Sequence, residues 1–296
     1  MGHGSYTAAD WSRLRASRQM DHSTHEREIF KQRSMDARFD PLYIAFREAR
    51  DSEEHPHSTP IIIGLDVTAS MGFLANKIAR EALNETMLKL YSTRLIEDPQ
   101  LMFAAYGDAM DEAPLQVTQF ESDIRIAEQL MDLWLENGGA GYVVPALLWH
   151  FAAMHTSLDS WEKRRQKGFL ITIGDNAECR PLDKSLTRRV FGKRESVPSM
   201  QECLKAAQQK FEVMHIVIND FDRHPPFFSA LLPGRTMGIH TQDIDALPEI
   251  LISAMQLVNG MDHHTVLSQW SDMARPIVQR ATQRLTVGNS SRGFFF

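Results

Sequence analysis

The sequence predicts an α/β protein: a doubly wound, mostly parallel sheet flanked by helices, carried between a helical N-terminal arm and a C-terminal extension. Three observations predict it. Short apolar runs such as "PIIIGLD" (60–66), "KGFLITIGD" (167–175) and "KFEVMHIVIND" (210–220) read as strands buried on both faces. Segments with apolar residues at helical spacing separate those runs. The alternation of the two patterns is the mark of an open sheet wrapped by helices.

Taken in order, residues 1–58 are polar but carry Trp11, Leu14, Ile29, Phe30, Phe39, Leu42, Tyr43 and Phe46. That content is too aromatic for a disordered tail. The arm is expected to form one or two helices that cover a partner domain or another subunit, ending at "EEHPHSTP", where two prolines break any helix. The central domain is expected over 59–261. Its first strand is followed by a helix predicted from Leu74, Ile78, Ala82, Leu83, Met87 and Leu90. "LMFAAYGD" and "PLQVTQF", separated by "AMDEA", predict a hairpin or short edge strand. "DIRIAEQLMDLWL" predicts a helix, "ENGGAGY" a glycine-rich loop, and "VVPALLWHFAAMH" a helix with Pro145 in its first turn. After "KGFLITIGD" come a helix at "QECLKAAQQ", the strand at 210–220, a last strand at "GRTMGIHT" and a closing helix at "IDALPEILISAMQLVNG". The extension, 262–296, adds a further helical segment and ends in three phenylalanines, which either fold back on the domain or dock on another molecule.

Composition excludes several classes of function. The net charge of -6 with mixed signs offers no basic stripe for nucleic acid. The two cysteines, Cys179 and Cys203, form no CxxC pair, which argues against a disulfide framework or zinc ribbon and leads us to expect a cytoplasmic protein. No apolar run approaches the ~18–20 residues that span a bilayer, and no signal-peptide core is present, so no membrane association is expected.

Open α/β sheets gather ligands where loops leave the carboxyl ends of the strands. Asp66 and Asp175 both end strands at such a place, and the loop "ENGGAGYVVP" is expected at the same edge. Asp66, Thr68 and Ser70 alternate, so their oxygens can face one side. A carboxylate with two hydroxyls suits a small hard cation, and Asp175 would add a second carboxylate. The same residues also suit a simpler role, Asp66 and Ser70 capping the helix that follows.

"DVTASMG" at the end of an apolar strand resembles the first element of the metal-ion-dependent adhesion site of von Willebrand factor A domains, Asp-x-Ser/Thr-x-Ser. "ITIGD" resembles the later strand that ends in that site's Asp, and "PLQVTQFESD" and "LWHFAAMHTSLDSWEKR" look similar to bacterial and phage-associated members. The resemblance covers roughly 58–260 and implies a von Willebrand factor A, Rossmann-like fold. It implies Asp66, Thr68, Ser70 and Asp175 as metal ligands, with Mg2+ or Mn2+ as the ion. It further implies a non-enzymatic interaction module in which a partner protein's Asp or Glu completes the ion's coordination, and a MoxR-type AAA+ ATPase as the partner for which it serves as adaptor. One departure stands out. The family supplies a hydroxyl from the second loop, whereas residues 136–148 contain no Ser or Thr. Glu136, Asn137, a backbone carbonyl or water are the available substitutes; without one, the ion is bound weakly or not at all.

Other features are given plainer readings. Asp108, Asp111 and Glu112 are expected to be a solvated hairpin turn rather than an acidic rim. The pairs His22 and His25, His55 and His57, and His263 and His264 are expected on the surface, since no Cys cluster or HExxH helix accompanies them. "GGAGY" lacks the Gly-Lys-Ser/Thr of a phosphate-binding loop. Asp220 and Asp222 are explained by a turn ahead of Pro225 and Pro226. Two rival functions remain: a structural protein that homo-oligomerises through its arm and tail, and a magnesium-dependent phosphohydrolase of the haloacid-dehalogenase type. The latter needs a carboxylate two residues after its nucleophile, and Thr68 stands there.

Overall fold

The computed structural model describes residues 4–21, 24–93, 96–139, 142–176, 179–192, 198–219 and 226–288. The arm contributes α1 (Ala8–Ser17), α2 (Glu26–Ile29) and β1 (Arg47–Ala49). The domain follows with β2 (Thr59–Asp66), α3 (Gly72–Lys77), α4 (Leu83–Thr93), β3 (Pro99–Tyr106), β4 (Leu115–Val117), α5 (Arg125–Met131) and α6 (Pro145–Met154). Next are β5 (Thr156–Leu158), α7 (Asp159–Arg164), β6 (Gly168–Gly174), α8 (Lys184–Phe191), α9 (Met200–Lys210), β7 (Phe211–Ile218) and α10 (Pro226–Leu231). The chain closes through β8 (Thr236–Ile239), α11 (Leu247–Val258), α12 (His263–Ser268) and α13 (Ala274–Thr282).

Six strands form the main sheet in the order β4-β3-β2-β6-β7-β8, with only β4 antiparallel to its neighbour. The expected α/β fold, a mostly parallel sheet flanked by helices, is therefore the observed one. The chain runs outward from β2 through β3 to β4 and then returns to the other side of β2 to lay down β6. That reversal puts the topological switch point, the place where open α/β sheets take their ligands, beside β2. The register aligns Asp66 with Tyr106 and Leu65 with Ile173, so β2, β3 and β6 end level with one another.

Side chains alternate between two apolar layers, as the period of a strand requires. Ile61, Ile63 and Leu65 pack into a layer with Leu74, Met87, Ile250 and Val278. Ile62 points the other way, into a layer with Leu147, Leu148, Phe151 and Phe228. The lack of a side chain at Gly64 lets α6 approach the strand, since a Cβ there would collide with Leu148. The helix predicted after β2 is present but is not uniform: a π turn, Ile78–Ala82, interrupts it between α3 and α4.

Two expectations are corrected. The arm does not stand away from the domain to cover another: Tyr6, Trp11, Leu14, Met20, Ile29, Phe30 and Phe39 are buried in the domain's own core. Nor is the arm only helical, because β1 pairs in parallel with β5 as a separate two-stranded sheet. Neither strand carries enough alternation to show in the sequence, and the pairing is held by neighbours such as the Arg47 guanidinium, which donates to the Val117 carbonyl at 2.9 Å. The extension also belongs to the core. Val266, Val278, Ala281 and Leu285 are buried, and the Trp270 indole donates to Ser253 Oγ at 2.8 Å. The three terminal phenylalanines, as well as His22, Asp220 and Asp222, lie outside the described residues.

Candidate functional site

Asp66 ends β2 fully buried, and its position fixes the geometry of the turn that follows. Its Oδ1 accepts the Thr68 backbone N–H at 2.9 Å and the Thr68 hydroxyl at 2.6 Å. The Thr68 and Ser70 hydroxyl oxygens lie 3.5 Å apart, so the three alternating oxygens do converge. The capping alternative is not realised: no side chain caps the 3-10 turn Ala69–Met71 or α3. Asp66 instead closes the turn two residues on, which holds Thr68 and Ser70 at the strand's mouth.

On the adjacent strand end, Asp175 is reached through a residue that sequence reasoning passed over. Asn176 Nδ2 donates to Asp66 Oδ2 at 2.7 Å and to Asp175 Oδ1 at 3.1 Å. One amide thus joins both strand-terminal carboxylates. Burial pushes the Asp66 carboxyl up to about 6; the hydrogen bonds from Thr68 and Asn176 oppose that rise and the charge of Asp175 adds to it. Among the described residues, no Lys, Arg or His pairs with Asp66 or Asp175. Tyr106, facing Asp66 across the ladder, spends its hydroxyl on the Ile173 carbonyl at 3.0 Å.

The glycine-rich loop docks beside this cluster. Ala69 N–H donates to the Gly138 carbonyl at 3.1 Å, and a Cβ on Gly139 would stand 3.1 Å from Thr68 Cγ2. With φ at +116°, Gly139 also occupies backbone space that favours glycine. Glu136, one of the expected substitutes for the missing hydroxyl, directs its carboxylate to the hairpin side of the loop, where it accepts the N–H groups of Glu112 and Ala113 at 2.9 and 3.0 Å.

Asp108 and Asp111 are buried, against the expectation of a solvated turn. The Asp108 carboxylate accepts Met110 N–H and Tyr142 N–H, each at 2.8 Å, while Asp108 N–H donates to Asp111 Oδ2 at 2.8 Å. Gly107 and Gly138 both press on the Asp111 carboxylate, leaving no room for a Cβ. Burial raises the Asp111 carboxyl above its ordinary range. These two acids clip the glycine loop to the β3–β4 hairpin, and only Glu112 of the three is exposed. Their tight-turn spacing gave the fold no signal of this, since the partner loop lies about thirty residues away. His55 likewise departs from expectation: it is buried, with Nδ1 3.3 Å from Asp98 Oδ1 and Nε2 3.0 Å from the Gly4 carbonyl.

The donor set fits a small hard cation. All four side chains offer oxygen, two are carboxylates, and the negative charge they bring has no cation among the described residues. Among those residues there is no group of three or more His, Cys, Asp or Glu that could hold a metal ion, so hydroxyls, carbonyls or water would complete any coordination.

No protein-family model and no curated protein matches the chain. Among solved structures, the open conformation of the pilus adhesin SpaC from Lactobacillus rhamnosus GG is similar over 67% of this chain and 30% of that one, with 10% identity and a TM-score of 0.42. A von Willebrand factor type A structure from Catenulispora acidiphila is similar over 73% of this chain and 48% of that one, with 12% identity and a TM-score of 0.40. The chain thus spans less than half of either of those chains. No helix among the described residues is long and apolar enough to cross a membrane.

Proposed function

We propose that this protein is a non-enzymatic interaction module whose site at the carboxyl edge of the sheet binds a divalent cation, Mg2+ or Mn2+, and through it a partner protein. The observation that carries the reading is the pair Asp66 and Asp175, two carboxylates bridged by Asn176 with no cationic side chain paired to them among the described residues. Asp66, Thr68, Ser70 and Asp175 would hold the ion. When bound, the ion supplies a positive centre with coordination positions left to water or to a carboxylate from outside.

The protein's own residues prepare that event. Asp66 fixes Thr68 through two hydrogen bonds, Asn176 holds the two carboxylates at a set separation, and the Gly138 carbonyl ties the loop to the turn. A partner Asp or Glu is the group such a centre selects. Under the resemblance to von Willebrand factor A domains, a MoxR-type AAA+ ATPase is the partner class for which the module would act as adaptor. Against a phosphohydrolase stands Thr68, whose hydroxyl donates to Asp66 where that chemistry needs a second carboxylate.

Calorimetric titration of the full chain with MgCl2 and MnCl2, beside Asp66→Ala and Asp175→Ala, tests the reading. Binding heat in the wild type that disappears in both variants is expected. An absence of heat in the wild type overturns it.

A further inference from the structure

The two ring nitrogens of buried His55 each face an oxygen acceptor. Nδ1 lies 3.3 Å from Asp98 Oδ1, just ahead of β3, and Nε2 lies 3.0 Å from the Gly4 carbonyl of the arm. A neutral imidazole has one N–H and one lone pair, so it bonds one of these oxygens and turns its lone pair on the other. Only the imidazolium donates to both, and it adds an ion pair with Asp98. The loop around the ring holds it in this pose. His55 N–H donates to Ser52 Oγ at 3.0 Å, and Ser52 N–H donates to the His55 carbonyl at 2.9 Å. Asp51 Oδ1 closes the loop by accepting the N–H and the hydroxyl of Ser58, at 3.1 and 2.8 Å.

On the other side of the ring, residues 4–6 lie as a strap on the segment between β4 and α5. The Gly4 carbonyl also accepts the Ser122 hydroxyl at 2.6 Å, and Tyr6 N–H donates to the Ser122 carbonyl at 3.0 Å. The charged groups around this junction are few. Asp123 Oδ2 stands 3.2 Å from where a Cβ on Gly4 would be, and Arg125 donates to both Asp123 oxygens at 2.9 Å and pairs with Glu121 at 3.1 Å. That guanidinium therefore answers the carboxylates of the strap side. On the loop side, Asp51 pairs with Arg164 at 2.7 Å, and the exposed His57 ring lies 3.4 Å from Glu97. Burial holds the Tyr6 and Tyr91 hydroxyls above their ordinary range, so both stay neutral near pH 7. Asp98 is thus the one charged group directly against the His55 ring among the described residues, and it favours the cation.

We propose that the strap is a proton-operated latch: His55 ties Gly4 to Asp98 while it is an imidazolium, and gives up one of the two bonds when it loses a proton to water. Histidine is the side chain whose charge ordinarily changes between about pH 5 and 8. The docked strap favours the cation, so the latch is closed on the acid side and opens as the pH rises. The remaining N–H stays with Asp98, because a hydrogen bond to an ionised acceptor is the stronger. The bond given up is the one to Gly4. Opening loosens residues 4–6 alone, since Trp11, further along the arm, is held in the core.

Two measurements on the full chain test the latch. In nitrogen-15 NMR of the imidazole, His55 should show two N–H groups at pH 5.5 and one at pH 8.5. In hydrogen exchange, the protection factor of the Tyr6 amide, which already corrects for the intrinsic rate, should fall about tenfold or more over the same interval. His55→Gln offers Gly4 a donor that does not titrate, and its Tyr6 protection should change by less than about threefold. Asp98→Asn should also flatten the profile with the strap closed, because the new amide donates to Nδ1 of the neutral ring and leaves the Nε2 proton to Gly4. Asn suits that position, where φ is +39°. Both variants keep Asp66, so its titration acts on all three proteins alike. A ring with a single N–H at pH 5.5, wild-type protection that does not change with pH, or an equal fall in His55→Gln or Asp98→Asn overturns the proposal.

Discussion

Asn176 donates its side-chain amide to Asp66 across the gap between two neighbouring strands, at 2.7 Å, and the same nitrogen reaches Asp175 at 3.1 Å. A neutral donor here does in part what a cation would do in full: it lets two carboxylates share a small space.

Replacing that donor by a third acid separates the two roles. Asn176→Asp removes the hydrogen bond to buried Asp66 and adds charge, so the metal-free protein should lose about 1–3 kcal/mol. With Mg2+ present the extra carboxylate becomes a ligand, and the metal-induced rise in Tm should exceed that of the wild type. Differential scanning calorimetry in EDTA and in MgCl2 measures both; an equal metal response in the two proteins would remove Asn176 from the site.

The pH dependence of stability has a defined sign. Asp66 has an ordinary carboxyl value of 3.8 and a folded value pushed up to about 6, chiefly by burial. The protonated form is therefore favoured by folding. Its stabilising contribution is fully present below about 4 and is lost as the pH rises through about 6. The interval between 3.8 and about 6 corresponds to about 3 kcal/mol. Urea unfolding in EDTA should show the wild type losing about that much between pH 4 and 7 relative to Asp66→Asn, and saturating Mg2+ should abolish the difference.

The sheet was legible in the sequence because β2, β6 and β7 are continuous apolar runs whose burial on both faces leaves no other reading. Asp66, Thr68 and Ser70 were legible for a related reason: a polar triplet at the end of such a run stands out. Asn176 was not, since one amide after a strand-terminal Asp carries no periodicity. Asp108 and Asp111 were misread because their burial depends on the glycine loop, a long-range contact that local pattern cannot encode. The same limit hid the pairing of β1 with β5, where three residues from the arm meet three that follow α6.

Long-range packing of the arm has a direct consequence. Trp11 is 5% exposed and sits in the same apolar layer as Leu83 and Met87, beneath an arm tied down by Tyr6 N–H to the Ser122 carbonyl at 3.0 Å. Trp11→Ala should cost about 3–5 kcal/mol of stability, with a single cooperative loss of structure in the whole chain. An arm that instead melts in a separate, earlier step while the sheet keeps its Tm would mean that it is an independent appendage.

Glu136 tests which groups of the glycine loop belong to the cation site. Its carboxylate is committed to the N–H groups of Glu112 and Ala113, on the hairpin side of the loop, and Ala113 is buried. Glu136→Ala leaves those donors without an acceptor and should cost about 1–3 kcal/mol. The loop remains fastened by Asp108, which holds Tyr142 N–H, and by the Gly138 carbonyl, which holds Ala69 N–H. Cation affinity should therefore stay within about a factor of two of the wild type in a calorimetric titration. A drop of about tenfold or more in a variant that is still folded would make Glu136 the replacement for the hydroxyl absent from residues 136–148, and the loop would then have to release the hairpin in order to bind.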